Sequence, residues 1–284
     1  MTGKERFNAI IDHKKPDKMP LFIPTVSCTV ASEILGRPAL GGTESLHFKE
    51  EKARFYGKDA LDDFEGRYYE DVVAIYSALR VDIIRQGWRK NETPTKILDE
   101  NTLLFGDENG EYTIKRFFPK TQSYGVVKST YAPLTAEKVI ENLEEQLNNP
   151  PQKASKEEVM NNFESSGSKR IFDMMRSDNL GEIIPGFNMG IVFYSPAWLE
   201  AMYLETDLVA SYVMQNAEYA KSSMEHLADA GYRWYNGGGD LASNAKPLFS
   251  PELCEAVLTK AIKFYSDSCR RKNVVNCYAT DGNI

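Results

Sequence analysis

Two short segments carry the residue types from which a reaction centre could be built. The first is Tyr235-Asn236-Gly237-Gly238-Gly239-Asp240, continued by Leu241-Ala242-Ser243-Asn244. Its glycines allow a tight turn or a close approach of backbone to a ligand, at a cost in chain entropy. Asp240 then offers a carboxylate. The second is Ala279-Thr280-Asp281-Gly282-Asn283. Each follows a β-prone run, and parallel α/β proteins build their sites at the carboxyl ends of strands. Two carboxylates on one rim can divide labour, one neutral and one ionised, or orient a substrate's basic or hydroxyl groups. Plainer readings stand beside these: Asp240 as a cap beyond a tight turn, Asp281-Gly282 as an ordinary turn. The spacing fits neither a P-loop, because no Gly-Lys-Ser/Thr follows, nor a dinucleotide fingerprint. Asp240 and Asp281 are the catalytic candidates. Tyr235, Asn236, Gly238, Gly239, Asn188 and Asn283 are candidates for binding a substrate at the same mouth, which an apolar pocket with a few polar groups would suit. Arg85, with Arg89 nearby, could hold a small anion; a solvated surface role is the alternative for each.

Other chemistry is poorly provided for. The histidines, His13, His47 and His226, are too few and too far apart for a His-rich metal site. Cys28, Cys254, Cys269 and Cys277 form no disulfide framework, and reduced thiols fit a cytosolic protein. Core packing is the expected role of Cys254, Cys269 and Cys277, since free Cys is among the most buried residue types. Most of the aromatic pairs, Tyr68-Tyr69, Phe117-Phe118, Phe193-Tyr194 and Trp234-Tyr235, are expected in the core.

The chain has 284 residues, 42% of them apolar and 26% charged, enough for a sizeable core and too apolar for a disordered chain. Lys plus Arg is 34 against 41 Asp plus Glu, so a net charge of −7 disfavours a nucleic-acid partner. No apolar run approaches the roughly 18–20 residues of a membrane span, and no signal-peptide core follows Met1. A cytoplasmic protein acting on a small molecule is expected.

The elements that must position these residues read as an α/β alternation. Thr2-x-x-Glu5 is a capping box for a first helix. Helices are expected around 30–35, 70–79, 136–163 (broken at Pro150-Pro151), 168–177, 207–229 and from Ser250-Pro251 to about 271, and Ser195-Pro196 marks another helix start. Core strands are expected at 20–24, 82–85, 182–187, 232–236 and 273–278. Residues 95–118 differ: β-rich runs around the turn signal Asp107-Glu108-Asn109-Gly110 predict an antiparallel insertion. No linker composition separates domains, so residues 1–284 read as one domain.

Taken together, Pro16-Asp17-Lys18-Met19-Pro20 after a short helix, Gly239-Asp240, Pro247-Leu248-Phe249-Ser250-Pro251 and the closing Thr280-Asp281-Gly282-Asn283 resemble the uroporphyrinogen decarboxylase superfamily. That superfamily holds the decarboxylase of haem synthesis and corrinoid-dependent methyltransferases. The resemblance runs from near the start to the end of the chain. It implies a TIM-type (β/α)8 barrel with its site at the carboxyl ends of the strands. About five of the eight strands are recognisable, so the resemblance implies a barrel truncated at its C-terminus.

Two departures from the family pattern bear on the reaction. True decarboxylases carry an Arg-Gln-Ala-Gly-Arg segment for substrate carboxylates, and the matching place here reads Thr25-Val26-Ser27-Cys28-Thr29. The zinc-dependent methyltransferases carry His-x-Cys where this chain has Ala279 and Asp281, so a thiol-activating zinc site is not expected. The resemblance thus implies methyl transfer from a small methylated compound to a corrinoid carried by a partner protein, with no directly bound cofactor. Porphyrinogen decarboxylation and a non-catalytic truncated product are the alternatives.

Overall fold

A computed structural model of the protein describes residues 1–280 and Gly282. Helices α1 (Gly3–Ile11), α2 (Cys28–Leu35), α3 (Thr43–Phe55) and α4 (Lys58–Leu79) come first. Strands β1 (Ile83–Ile84), β2 (Lys96–Asp99), β3 (Thr102–Gly106), β4 (Tyr112–Phe118) and β5 (Ser123–Ser129) follow. Helices α5 (Ala136–Asn148), α6 (Lys156–Glu164) and α7 (Gly167–Met175) lead to β6 (Gly181–Asn188). Helices α8 (Pro196–Leu204) and α9 (Thr206–Asp229) precede β7 (Trp234–Gly238). Helices α10 (Pro251–Cys254) and α11 (Lys260–Arg271), joined by a π-helical turn at Glu255–Thr259, precede β8 (Val275–Ala279). The fold is mixed α/β with parallel strand pairing. Among the described residues no helix is long and apolar enough to cross a membrane. The chain divides into two compact units, Met1–Ala132 with Ser166–Glu182, and Pro133–Ser165 with Ile183–Ile284.

In the first unit the Thr2/Glu5 capping box closes as the sequence predicts: the Glu5 N–H donates to Thr2 Oγ1 at 3.1 Å, and the Thr2 N–H to Glu5 Oε2 at 2.7 Å. The expected strand at 20–24 is reduced to one parallel bridge, Phe22 to Ile83. Pro20 and Pro24 flank it and have no N–H to give a ladder. β1 pairs in parallel with Gly181 and Glu182, the first residues of β6. The antiparallel insertion has four strands in the order β2-β3-β4-β5 and reaches Ser129. Its turn is built as read, with Asp107 Oδ1 accepting from the Asn109 N–H at 3.0 Å.

Asp82 ties the N-terminal segment to β1. Its side chain is only 5% exposed and pairs with Arg6 at 2.7 Å and Lys18 at 3.5 Å. It also accepts from the Leu21 N–H at 3.0 Å. Arg6 in turn holds Asp17 through Nε at 2.7 Å and Nη2 at 2.9 Å. The Pro16–Pro20 motif therefore has a structural task of its own. Burial pushes the Asp82 carboxyl up, but the Leu21 N–H, Arg6 and Lys18 outweigh it and the net direction is down. A carboxyl lowered by folding stabilises above its unfolded value, and the contribution is lost as pH falls through the folded value. Asp82→Asn is expected to cost about 3 kcal/mol at neutral pH. Urea unfolding should show the difference between variant and parent shrinking as pH drops below 3.8, the carboxyl's ordinary value.

In the second unit, β6 from Ile183 onward, β7 and β8 form a parallel sheet. Helix α9 buries Val209, Val213, Ala217, Met224 and Leu227 along one face. Helix α11 buries Ala261, Tyr265 and Cys269, with Tyr265 against Phe187 of β6 at 5.4 Å between ring centroids. The stretch 136–163 is helical on both sides of Pro150-Pro151, and α5 buries Ala136, Val139 and Leu143. Ser250 caps its helix through the Leu253 N–H at 3.2 Å, whereas Ser195 holds the cap position of α8 without a side-chain hydrogen bond.

Candidate functional site

The parallel register of the second unit brings the carboxyl ends of three strands level. Asn188 stands beside Gly238, and Gly238 beside Ala279. The loops leaving β7 and β8 are laced together just beyond: the Gly239 N–H donates to the Ala279 carbonyl at 3.2 Å, and the Leu241 N–H to Thr280 Oγ1 at 3.1 Å. The loop after Asp240 closes on itself through the Leu248 N–H and the Leu241 carbonyl at 3.0 Å. Asp240 thus projects from a tethered base at the carboxyl edge of the sheet, the location expected for a site.

The glycines before it are explained by the protein's own close packing. A Cβ on Gly238 would lie 2.1 Å from the Ala279 carbonyl oxygen, and one on Gly239 would lie 2.6 Å from Phe193 Cε2. The close approach read from the sequence is therefore made by the neighbouring strand and a loop phenyl ring. Gly238→Ala should lose about 1–3 kcal/mol by overpacking, read as a lower urea midpoint with an unchanged slope.

Asp240 is half-buried and accepts a hydrogen bond on Oδ2 from the Tyr194 hydroxyl. Tyr194 lies in the loop after β6 and is 68% exposed. Near Gly239 stands Tyr278 of β8, whose hydroxyl is 3.5 Å from a Cβ placed on Gly239 and donates to Met189 Sδ at 3.5 Å. Burial, then Cys254, then Asp240 push the Tyr278 phenol up to about 12, so it keeps its proton at neutral pH. Phe193 stacks on Phe249 at 5.9 Å and closes the apolar side. The cluster joins a carboxylate and the phenol bonded to it with a second phenol, a thioether and two phenyl rings nearby. Such a group can orient an amine or hydroxyl and exchange a proton with a heteroatom at the Asp240 carboxyl.

The remaining candidates fall elsewhere. Tyr235 is 1% exposed, and its hydroxyl donates to the Met224 carbonyl at 3.4 Å, so its ring serves the packing of β7 on α9. Asn236 bridges strands through Nδ2 to the Cys277 carbonyl at 3.2 Å. Asn188 Oδ1 accepts from the Gly190 N–H at 2.8 Å in a local turn. Arg85 belongs to the first unit, its guanidinium over the rings of Trp88 and Phe22 at 5.0 and 5.9 Å, and burial lowers its pKa. Arg89 is engaged with Glu50 and Glu65. Asp281 and Asn283 lie outside the described residues, so of the two acidic candidates only Asp240 has a described environment.

Tyr194 is the functional candidate that sequence reasoning missed, one of the paired aromatics of which most were expected in the core. Its signal was its place, in a strand-end loop directly before Ser195-Pro196. Burial pushes the thiols of Cys254, Cys269 and Cys277 up, Cys269 to about 11, which keeps them protonated. Among the described residues no three His, Cys, Asp or Glu side chains are grouped to hold a metal ion. Compared with known proteins, the chain matches no family, no curated protein and no solved structure.

Proposed function

We propose that the chain is an enzyme of the uroporphyrinogen decarboxylase superfamily, built on a (β/α)8-type barrel. In this reading it moves a methyl group from a small methylated compound to a corrinoid held by a partner protein, and works in the cytoplasm. The single observation that carries the reading is Asp240, at the carboxyl edge of a parallel sheet and hydrogen-bonded by Tyr194. It is supported by the sequence motifs that share Gly239-Asp240 and the closing Thr280-Asp281-Gly282-Asn283.

A methyl ether or alcohol leaves poorly as an alkoxide, so its heteroatom must be protonated or otherwise neutralised as the methyl–heteroatom bond breaks. The donor set at the rim suits that task. A proton at the Asp240 carboxyl passes to the leaving oxygen, and the Tyr194 O–H then holds the carboxylate left behind. Tyr278, kept protonated, anchors Met189 and keeps the apolar wall in place. The corrinoid, on its own protein, supplies the nucleophile that accepts the methyl group. Porphyrinogen decarboxylation fits less well. A substrate with many carboxylates needs several cations, and Thr25-Val26-Ser27-Cys28-Thr29 supplies none.

The test is incubation of the purified protein with a reduced corrinoid and a panel of methoxyarenes, methanol and methylamines, followed by corrinoid absorbance. Turnover with at least one donor is expected. Inertness to the whole panel would reject the reading. Product chromatography after incubation with uroporphyrinogen then separates the decarboxylase alternative from a non-catalytic chain.

A further inference from the structure

The peptide group that follows Asp240 is held by a side chain from another strand end. The Leu241 N–H donates to Thr280 Oγ1 at 3.1 Å. That N–H shares one rigid plane with the Asp240 carbonyl. Its hydrogen bond therefore fixes the backbone on the carboxyl side of the Asp240 Cα, and helps to set the direction in which the side chain leaves. The surrounding chain is held as well. The Gly239 N–H donates to the Ala279 carbonyl at 3.2 Å, and the Leu241 carbonyl accepts from the Leu248 N–H at 3.0 Å.

A second contact presses on the same loop. Gly282 has a φ of +100°, a conformation that a side chain disfavours. A Cβ there would lie 2.5 Å from the Ala242 carbonyl oxygen and 2.9 Å from the Ala242 Cβ. Ala242 is buried and bridges to Pro247 across the loop. Thr280 and Gly282 thus touch consecutive residues, Leu241 and Ala242, directly after Asp240.

We propose that Thr280 is a positioning residue. Its hydroxyl, backed by the close approach of Gly282, aims the Asp240 carboxylate at the Tyr194 hydroxyl and at the substrate. It acts through Leu241 and touches no reacting atom. Without the hydroxyl, the half-buried Leu241 N–H must find another acceptor. The peptide plane then turns, and the carboxylate leaves Tyr194. A displacement of about 1 Å can cost about a hundredfold in rate. This role rests on the reading of Asp240 as the reacting carboxyl, but not on which compound reacts.

The test is NMR of tyrosine isotopically labelled at Cζ, with kinetics of the same proteins. The Tyr194 resonance is the one absent from Tyr194→Phe, and Asp240→Ala marks its position once the carboxylate is lost. Thr280→Val, which replaces only the hydroxyl by a methyl, should move the resonance at least halfway to that position. Thr280→Ser, which keeps the hydroxyl, should leave it where the parent has it. With the best methyl donor, Thr280→Val should lower kcat about tenfold and change KM less than about twofold, and Thr280→Ser should restore kcat. A Thr280 that only stabilised the fold would lower the urea midpoint without moving Tyr194. Gly282→Ala should displace the same resonance, and it decides if Thr280→Val fails to fold. A Tyr194 resonance unmoved in Thr280→Val would overturn the proposal, as would an unchanged kcat. If the parent turns over no donor while Thr280→Val displaces Tyr194, the positioning stands and the methyl-transfer reading falls.

Discussion

An Asp240→Asn protein is expected to fold as the parent does and to transfer methyl groups about a hundredfold more slowly, the lower end of what a positioned acid or base contributes. Asparagine keeps the size of the side chain and can still accept from the Tyr194 hydroxyl, so the loop tethers at Gly239 and Leu241 should persist. It cannot carry the proton that the leaving heteroatom requires. The loss should fall on kcat, with the KM for donor changed much less. Tyr194→Phe should cost about tenfold, because it removes only a hydrogen bond that holds the carboxylate. Initial rates with the best donor of the panel, with circular dichroism of each variant, measure both effects.

The second large effect concerns stability. Glu50 is fully buried, yet its carboxylate is engaged on every side. It accepts from Arg89 Nε at 2.8 Å and Nη2 at 3.1 Å, from Arg54 at 2.9 Å and from the Lys90 N–H at 3.2 Å. Burial works against the charge of Arg89, but the bonds to Glu50 outweigh it and hold its pKa above the ordinary value. Glu50→Ala leaves Arg89 buried among Phe64, Tyr68 and Tyr69 without that counterion. The expected cost is about 3–5 kcal/mol, measured as a lower urea midpoint at neutral pH. Glu51→Gln should cost less, since an amide oxygen can still accept from Tyr124, which bonds Glu51 at 2.6 Å.

These carboxylates also explain what the sequence concealed. Helix α3 buries Ser45, Glu50 and Glu51 beside Leu46 and Phe48, so its inner face carries no continuous apolar stripe. The partners that make this burial tolerable, Arg89 and Lys115, lie 39 and 64 residues further along. No local periodicity could announce them. Strand β5 was hidden for a related reason: it is mostly exposed and contains Gly125, so it lacks the alternation that marks a half-buried strand. By contrast β6, β7 and β8 were legible, because apolar runs bounded by turn residues mark parallel strands.

The candidate site was legible in part. The location of Asp240 followed from strand, glycines and carboxylate in order. Its partner did not, because Phe193 and Tyr194 are adjacent aromatics and residue type cannot say which turns inward. Phe193 is 4% exposed, while Tyr194 reaches a carboxylate 46 positions away. Likewise the glycines announced a close approach but not what approaches. Asn236 and Asn188 have hydrogen bonds within the sheet edge and its turn that their polarity alone could not distinguish from substrate contacts.

The central claim, that the Asp240 carboxyl protonates the departing heteroatom, is tested most directly by changing the leaving group. A nitro-substituted methoxyarene departs as a stabilised phenolate and needs little protonation, whereas unsubstituted anisole needs it. The account predicts that Asp240→Asn loses about a hundredfold with anisole and no more than about threefold with 4-nitroanisole. Equal losses with the two donors would contradict it.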